Sequence, residues 1–134
     1  MTLFGALNIS GSGVDAAQTW INTTAGNIAN SNDTVPTSSP VYAVQTPFFA
    51  AVGVPGQIGD GVAVTSVQLG SNAGTIAYEP NNPLHDVKGQ VRIANVDLGS
   101  QMVALITAQE DYQANASAIA HAKQAYQSAL TIGS

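Results

Sequence analysis

The last third of the chain sets the strongest constraint on its fold. Leu98, Leu105, Tyr112, Ile119 and Tyr126 recur at intervals of seven, and Met102, Gln109, Ala116, Lys123 and Leu130 interleave with them. Alternating steps of four and three over about five heptads make the stripe of a helix packed on another helix. No proline interrupts the stretch and no glycine falls between Gly99 and Gly133. Ala, Gln, Leu and Met dominate it, all good helix formers. Asp97 or Asn95 can cap its start, and Gly133 lies just past its end. Such a helix is about 50 Å long at 1.5 Å per residue. That is too long to be buried in the remainder of a 134-residue chain, so it needs a partner.

Residues 1–31 offer one. Leu7, Val14, Ile21 and Ile28 are spaced by seven, and Leu3, Ala17 and Thr24 fill the other seam. The helix propensity is poor. Gly5, Gly11, Gly13 and Gly26 each cost about 1 kcal/mol relative to Ala in a helix interior. Thr19, Thr23 and Thr24 add smaller penalties. The segment is therefore expected to be disordered or fluctuating unless packed; the alternative is an ordinary amphipathic helix of a compact bundle. Trp20 holds no seam position and is either an anchor for a partner or a contact within the same bundle.

Between the two helices the chemistry changes. Asn30 to Pro40 is rich in Asn, Asp, Ser and Pro, and reads as turn and linker. Strands are expected at Val41 to Thr46, at Phe48 to Val52 after Pro47, at Val62 to Leu69, at Thr75 to Tyr78 and at Val91 to Ile93. In the third, Val62, Val64 and either Val67 or Leu69 should face inward. Gly53 to Gly61 is a loop, Gly70 to Gly74 a turn, and Glu79 to Pro83 irregular. The expected fold class is α+β: long N- and C-terminal helices form a coiled-coil hairpin, with a small β domain inserted between them. The expected divisions are residues 1–35, 36–96 and 97–134. A sheet so small buries little, so the two ends must meet.

Composition narrows the function. The formal charge is −5, and Lys88, Arg92 and Lys123 are the whole basic complement. With no basic patch, nucleic acid and anionic membrane surfaces are poor partners. Charged residues make up 8% of the chain, against roughly 25% in an ordinary soluble domain. A surface of Ser, Thr, Asn, Gln, Gly and Ala either suits burial against other chains or reflects a compositional bias of the source. There is no cysteine, hence no disulfide, thiolate metal site or cysteine nucleophile. No apolar run approaches the ~18 residues of a membrane span, and no membrane insertion is expected. The first thirty residues lack Lys and Arg and any continuous apolar core, and so do not read as a signal peptide.

Nothing points to catalysis. His85-Asp86 beside Lys88 lacks a nucleophile or further metal ligands, and His121 has no second histidine at ligand spacing. Asp15, Asp33, Asp60 and Asp86 do not follow a calcium-loop pattern. Gly11-Ser12-Gly13 mimics part of a phosphate loop, but the third glycine and the lysine are missing. No catalytic, cofactor-binding or metal-ligating residue is assigned, and no enzyme is expected.

Three motifs carry a family resemblance. Asn27-Ile28-Ala29-Asn30, after an apolar heptad helix and before Asn32 and Thr34, resembles the N-terminal signature of flagellar rod, hook and filament axial proteins. Asn95-Val96-Asp97, then Met102 with Ile106, then Tyr112-Gln113-Ala114-Asn115, resembles the matching C-terminal signature. The run Tyr78 to Pro83, continuing through Asp86, Lys88-Gly89 and Val91, is similar to the segment that marks the proximal-rod branch, as is the chain length.

The resemblance implies a structural subunit of the bacterial flagellar basal-body rod, periplasmic and torque-transmitting. Such a subunit is exported unfolded by the flagellar type III apparatus without a cleaved signal. Its termini are disordered in the monomer and pair as a coiled coil in the assembled tube, with the middle domain outside. Its partners are other rod proteins and copies of itself, and it needs no cofactor. The assembly residues it implies are Leu3, Leu7, Val14, Ala17, Ile21, Asn27, Ile28 and Asn30 in the first helix. In the last they are Leu98, Met102, Leu105, Tyr112, Asn115, Ile119, Tyr126 and Leu130. Three departures stand out. Gln18 to Ile21 lacks the family's usual basic residues, Gln101 replaces an acidic residue before Met102, and the usual Arg after Tyr42 is missing. The alternatives are another axial subunit, rod or hook, and a self-contained soluble binding module whose termini would be protected in the monomer.

Overall fold

The computed structural model describes residues 3–53 and 59–132, with Leu3 described by its backbone alone. The order is α1 (Leu3–Ala29), β1 (Thr34–Pro36), β2 (Gln45–Val52), β3 (Gly61–Leu69), β4 (Thr75–Tyr78), β5 (Gln90–Ile93) and α2 (Leu98–Ile132). The fold is α+β, with two long terminal helices around a small β region.

Two of the threonines of α1 are accommodated by bonding back to the preceding turn. Thr19 and Thr23 donate their hydroxyls to the carbonyls of Asp15 (3.1 Å) and Thr19 (3.0 Å), which satisfies them inside a helix. The helix ends where Asn30 places both its N–H (3.1 Å) and its Nδ2 (2.8 Å) on the Gly26 carbonyl. Of the two candidate caps for α2, Asp97 does the work. Its carboxylate accepts the Gly99 N–H at 3.2 Å and the Ser100 hydroxyl. Gly133, the expected C-terminal stop, lies outside the described residues.

The helices run antiparallel in a fixed register. Asn27 meets Gln101, Gly13 meets Asn115, and the Phe4 ring meets Tyr126 edge-on at 6.0 Å between centroids. A Cβ on Gly13 would collide with the side chain of Asn115. The glycine that weakens α1 as an isolated helix therefore lets α2 come close. Gly11-Ser12-Gly13 sits mid-helix rather than in a phosphate-binding loop.

The strands form two separate sheets, one of order β1-β5-β4 and one hairpin of β2 and β3, all antiparallel. β1 falls inside the stretch expected to be turn alone; three residues are too few to show a period of two. Val41 to Val44, expected as a strand, is not one. Its polar groups bond elsewhere: the Val41 N–H to the Asn72 carbonyl (3.1 Å), the Tyr42 N–H to the Asp33 carboxylate (3.0 Å). The two strands expected on either side of Pro47 are instead the single strand β2. A two-stranded hairpin gives each strand a free edge, where the missing proline N–H costs nothing.

In β3 a register shift leaves Thr65 as an extra residue opposite Phe48/Phe49. The bulge puts Val62, Val64, Val67 and Leu69 on one face, although the sequence spaces Val64 and Val67 by three. Val62 is half-buried against α1, as expected, whereas Val64, Val67 and Leu69 are exposed rather than packed inward. The buried apolar residues are small: Ala16, Ala17 and Ala108 between the helices, Val41, Val91 and Ala94 around the three-stranded sheet.

Two carboxyl groups titrate below the ordinary aspartate range. The Ser100 hydroxyl and then the first-turn N–H groups of α2 lower Asp97; the Gln90 N–H, foremost, lowers Asp86 in the β4–β5 connection. A depressed folded pKa stabilises the fold above about pH 4 and is lost as pH falls through the folded value. NMR titration from about pH 5 to 2 should show the Gly99 and Lys88 amides moving with carboxylates of low midpoint. Asp97→Asn should remove the titration at Gly99 and leave that at Lys88.

Candidate assembly surface

One side chain joins the parts. Asn27, 1% exposed, uses every hydrogen-bonding position an amide has. Its Oδ1 accepts the Tyr42 hydroxyl (2.9 Å) and the Gln45 N–H (2.8 Å). Its Nδ2 donates to the Gln45 carbonyl (2.9 Å) and to Gln101 Oε1 (2.8 Å). α1, the segment entering β2, β2 and α2 thus meet at one residue. Burial pushes the Tyr42 phenol upward, which keeps it protonated and donating.

A second anchor lies along α1. Ser12 donates to the Ile9 carbonyl (2.7 Å) and accepts the Val62 N–H (3.0 Å). The approach requires Gly61, whose φ is +130° and whose missing Cβ would collide with Ser12 Oγ. Ser12 and Asn27 are about 22 Å apart along a helix. Gln45 and Ala51, the latter paired with Val62, are about 20 Å apart along a strand. The match in length lays the hairpin along α1, tied at both ends. Between the anchors Trp20 contacts Phe49, ring centroids 6.1 Å apart. The tryptophan's contact within the chain is thus with the hairpin.

The packed faces follow a frame partly different from the apolar count. On α1, Ala16, Ala17, Thr23, Thr24 and Asn27 are buried, while Leu7, Val14, Ile21 and Ile28 are half-covered. On α2, Leu105, Tyr112 and Ile119 face the partner helix as one seam. The other seam is Gln101, Ala108, Asn115 and Ala122, one residue before the expected Met102 frame. Small and amide side chains win these positions because they allow close approach and can bond across it; Ala108 is wholly buried and Asn115 abuts Gly13. Leu98, Met102, Tyr126 and Leu130 remain exposed, and Asn30 is an exposed helix stop. The side chain of Leu3 lies outside the described residues. Nothing in the sequence gives Ser12, Tyr42 or Gln101 an anchoring role, because a polar residue in an apolar frame carries no signal until its partner is known.

Much apolar surface stays open. Leu98, Met102, Val103 and Ile106 form a strip on the first turns of α2, with Val103 65% and Ile106 57% exposed. The hairpin leaves Phe48, Phe49, Val52, Val64, Val67 and Leu69 exposed. Among the described residues no helix is long and apolar enough to cross a membrane, and no three His, Asp or Glu side chains converge to hold a metal.

Replacing Asn27 tests the junction. Asn27→Ala should cost about 2–4 kcal/mol in urea unfolding, since it orphans groups on three elements. Asn27→Asp should do comparable damage at pH 7, because a carboxylate faces two acceptors. It should recover partly on acidification, when the protonated acid can donate again.

The chain has clear relatives. The family model "Flagellar basal body rod FlgEFG protein C-terminal" matches residues 87–132. The flagellar basal-body rod protein FlgC of Salmonella typhimurium is 33% identical over 133 residues, 99% of either chain. That of Yersinia enterocolitica is 32% identical over 133 residues, again 99% of either chain. FlgC of Borreliella burgdorferi is 32% identical over 149 aligned positions, 98% of either chain. With likeness running from end to end, this chain belongs to the FlgC family of flagellar basal-body rod proteins.

Proposed function

We propose that the chain is a non-catalytic structural subunit of the flagellar rod, held to its neighbours by the apolar surface its own fold leaves open. One observation carries the reading. The chain exposes 8451 Å² at 13.6 kDa, where a compact monomer of that mass exposes roughly 6,600 Å². The excess is about the area of two standard interface patches. The open surface is apolar on α2 and on the hairpin, and charged residues are few in the chain as a whole, so covering it costs little desolvation.

Residues 1–35 and 97–134 form the axial pair in this reading, and 36–96 the outer layer, with the β2–β3 hairpin strapped to α1. The assembly residues are those whose open sides neighbours would complete: Leu7, Val14, Ile21 and Ile28 on α1, and Leu98, Met102, Tyr126 and Leu130 on α2. Partners are copies of the chain and other rod proteins. Small buried residues suit export in an unfolded state through the type III apparatus, without a cleaved signal, to a periplasmic shaft. Two hydrogen-bonded anchors stiffen each subunit for transmitting torque. A self-contained module shares the pairing of α1 with α2 in one chain, but it leaves the strip from Leu98 to Ile106 without purpose.

Purified chain should form sedimentable, rod-like polymers as concentration rises, visible by negative-stain microscopy. Ile106→Glu should leave unfolding stability within about 0.5 kcal/mol and abolish the polymers. A chain that stays monomeric at every concentration, alone and with its rod partners, would contradict the reading.

A further inference from the structure

The β4–β5 connection is a rigid loop with an apolar tip. The Glu79 N–H bonds to the Gly89 carbonyl (2.8 Å), and the Asp86 N–H to the Gln90 carbonyl (2.9 Å). Asp86 Oδ1 accepts the N–H groups of Lys88 (2.8 Å) and Gln90 (3.0 Å), and Oδ2 accepts the Thr37 hydroxyl (3.1 Å). Asn82 Oδ1 accepts the Leu84 N–H (3.0 Å). This network presents Val87 fully to solvent, 102% exposed, with Leu84 and Lys88 also exposed. A loop already ordered loses little entropy on docking.

A matching hollow lies elsewhere in the molecule. Where α1, α2 and the hairpin meet there is a cleft of about 370 Å³, lined by Ala16, Ala17, Trp20, Phe49 and Val62 and also by Asp111. The volume falls within the ~300–1,000 Å³ of pockets that enclose a ligand group. Val87 does not fill it within one chain: its side chain is fully exposed and the cleft is lined by other residues.

We propose that the β4–β5 loop of one copy inserts Val87 into the Trp20–Phe49 cleft of a second copy, with Lys88 set against Asp111. The partner is a second copy because knob, hollow and both charges belong to this chain. Tip and cleft are different surfaces, so the contact is head-to-tail, the type that builds an open helical assembly when its rotation does not close a ring. The inference rests on the rod-subunit reading and adds a specific contact to it.

The chain has no cysteine and a single tryptophan, which lines the cleft; both facts serve the test. Differently tagged full-length chains, one carrying Val87→Cys and the other Val62→Cys, are mixed under conditions where wild-type chain pellets, then mildly oxidised. The mixed disulfide should form several-fold faster than between Val87→Cys and Ser71→Cys, a control in the exposed β3–β4 turn. Trp20 emission should shift to the blue as wild-type polymers form, and should stay put in Val87→Asp. Polymers that cross-link to both partners at equal rates, or a blue shift that survives Val87→Asp, would overturn the knob-in-cleft contact and leave the rod reading standing. Failure of the wild-type chain to pellet at all would overturn the contact and weigh against self-assembly as well.

Discussion

The structure turns on one buried amide. Asn27 bonds to three other stretches of the chain at 2.8–2.9 Å and has no hydrogen-bonding position left over. A buried amide with even one empty position would be a liability; a full set is a register device. It sets α1 against α2, and the rest of the antiparallel pairing follows from it: Gly13 against Asn115, Phe4 against Tyr126. It also fixes where β2 begins, so that the hairpin runs back along α1 to a second tie at Ser12.

Around this junction the chain is deliberately incomplete. Among the described residues its buried apolar side chains are alanines and valines, with no phenylalanine, leucine or isoleucine. Such residues allow backbones to approach but supply little transfer free energy each. Many large apolar side chains, Val103, Ile106 and Leu130 among them, lie on the surface, where the scarcity of charge makes their burial inexpensive. A chain that folded to a self-sufficient core would have the opposite arrangement. Polar anchors give each subunit a defined shape, and exposed apolar faces leave its remaining stability to its neighbours.

The two long terminal helices and most strands were legible in the sequence because they depend on local periodicity. So was the Asp97 cap, a local match of residue and position. The exact seam of α2 was not. Counting apolar residues favours Met102, whereas the fold chooses Gln101 because Asn27 lies across from it. The single strand through Pro47 and the short β1 were missed for a similar reason: both exist through pairing with distant strands. The bulge at Thr65 could not be read either, since it reconciles two valine spacings only once β2 is alongside. Asn27 itself was named through a family motif; its bonding partners are 15–74 residues away in sequence.

Peptide-resolved hydrogen exchange on a verified monomer, repeated on the polymer, tests the account most directly. The free chain should be best protected at the amides around Asn27, Gln45 and Gln101. Protection should decline toward Leu7 on α1 and Leu130 on α2, and both distal stretches should gain it on assembly. Equally strong protection along the full length of both helices in the monomer would contradict the account, because the helices would then complete each other without neighbours.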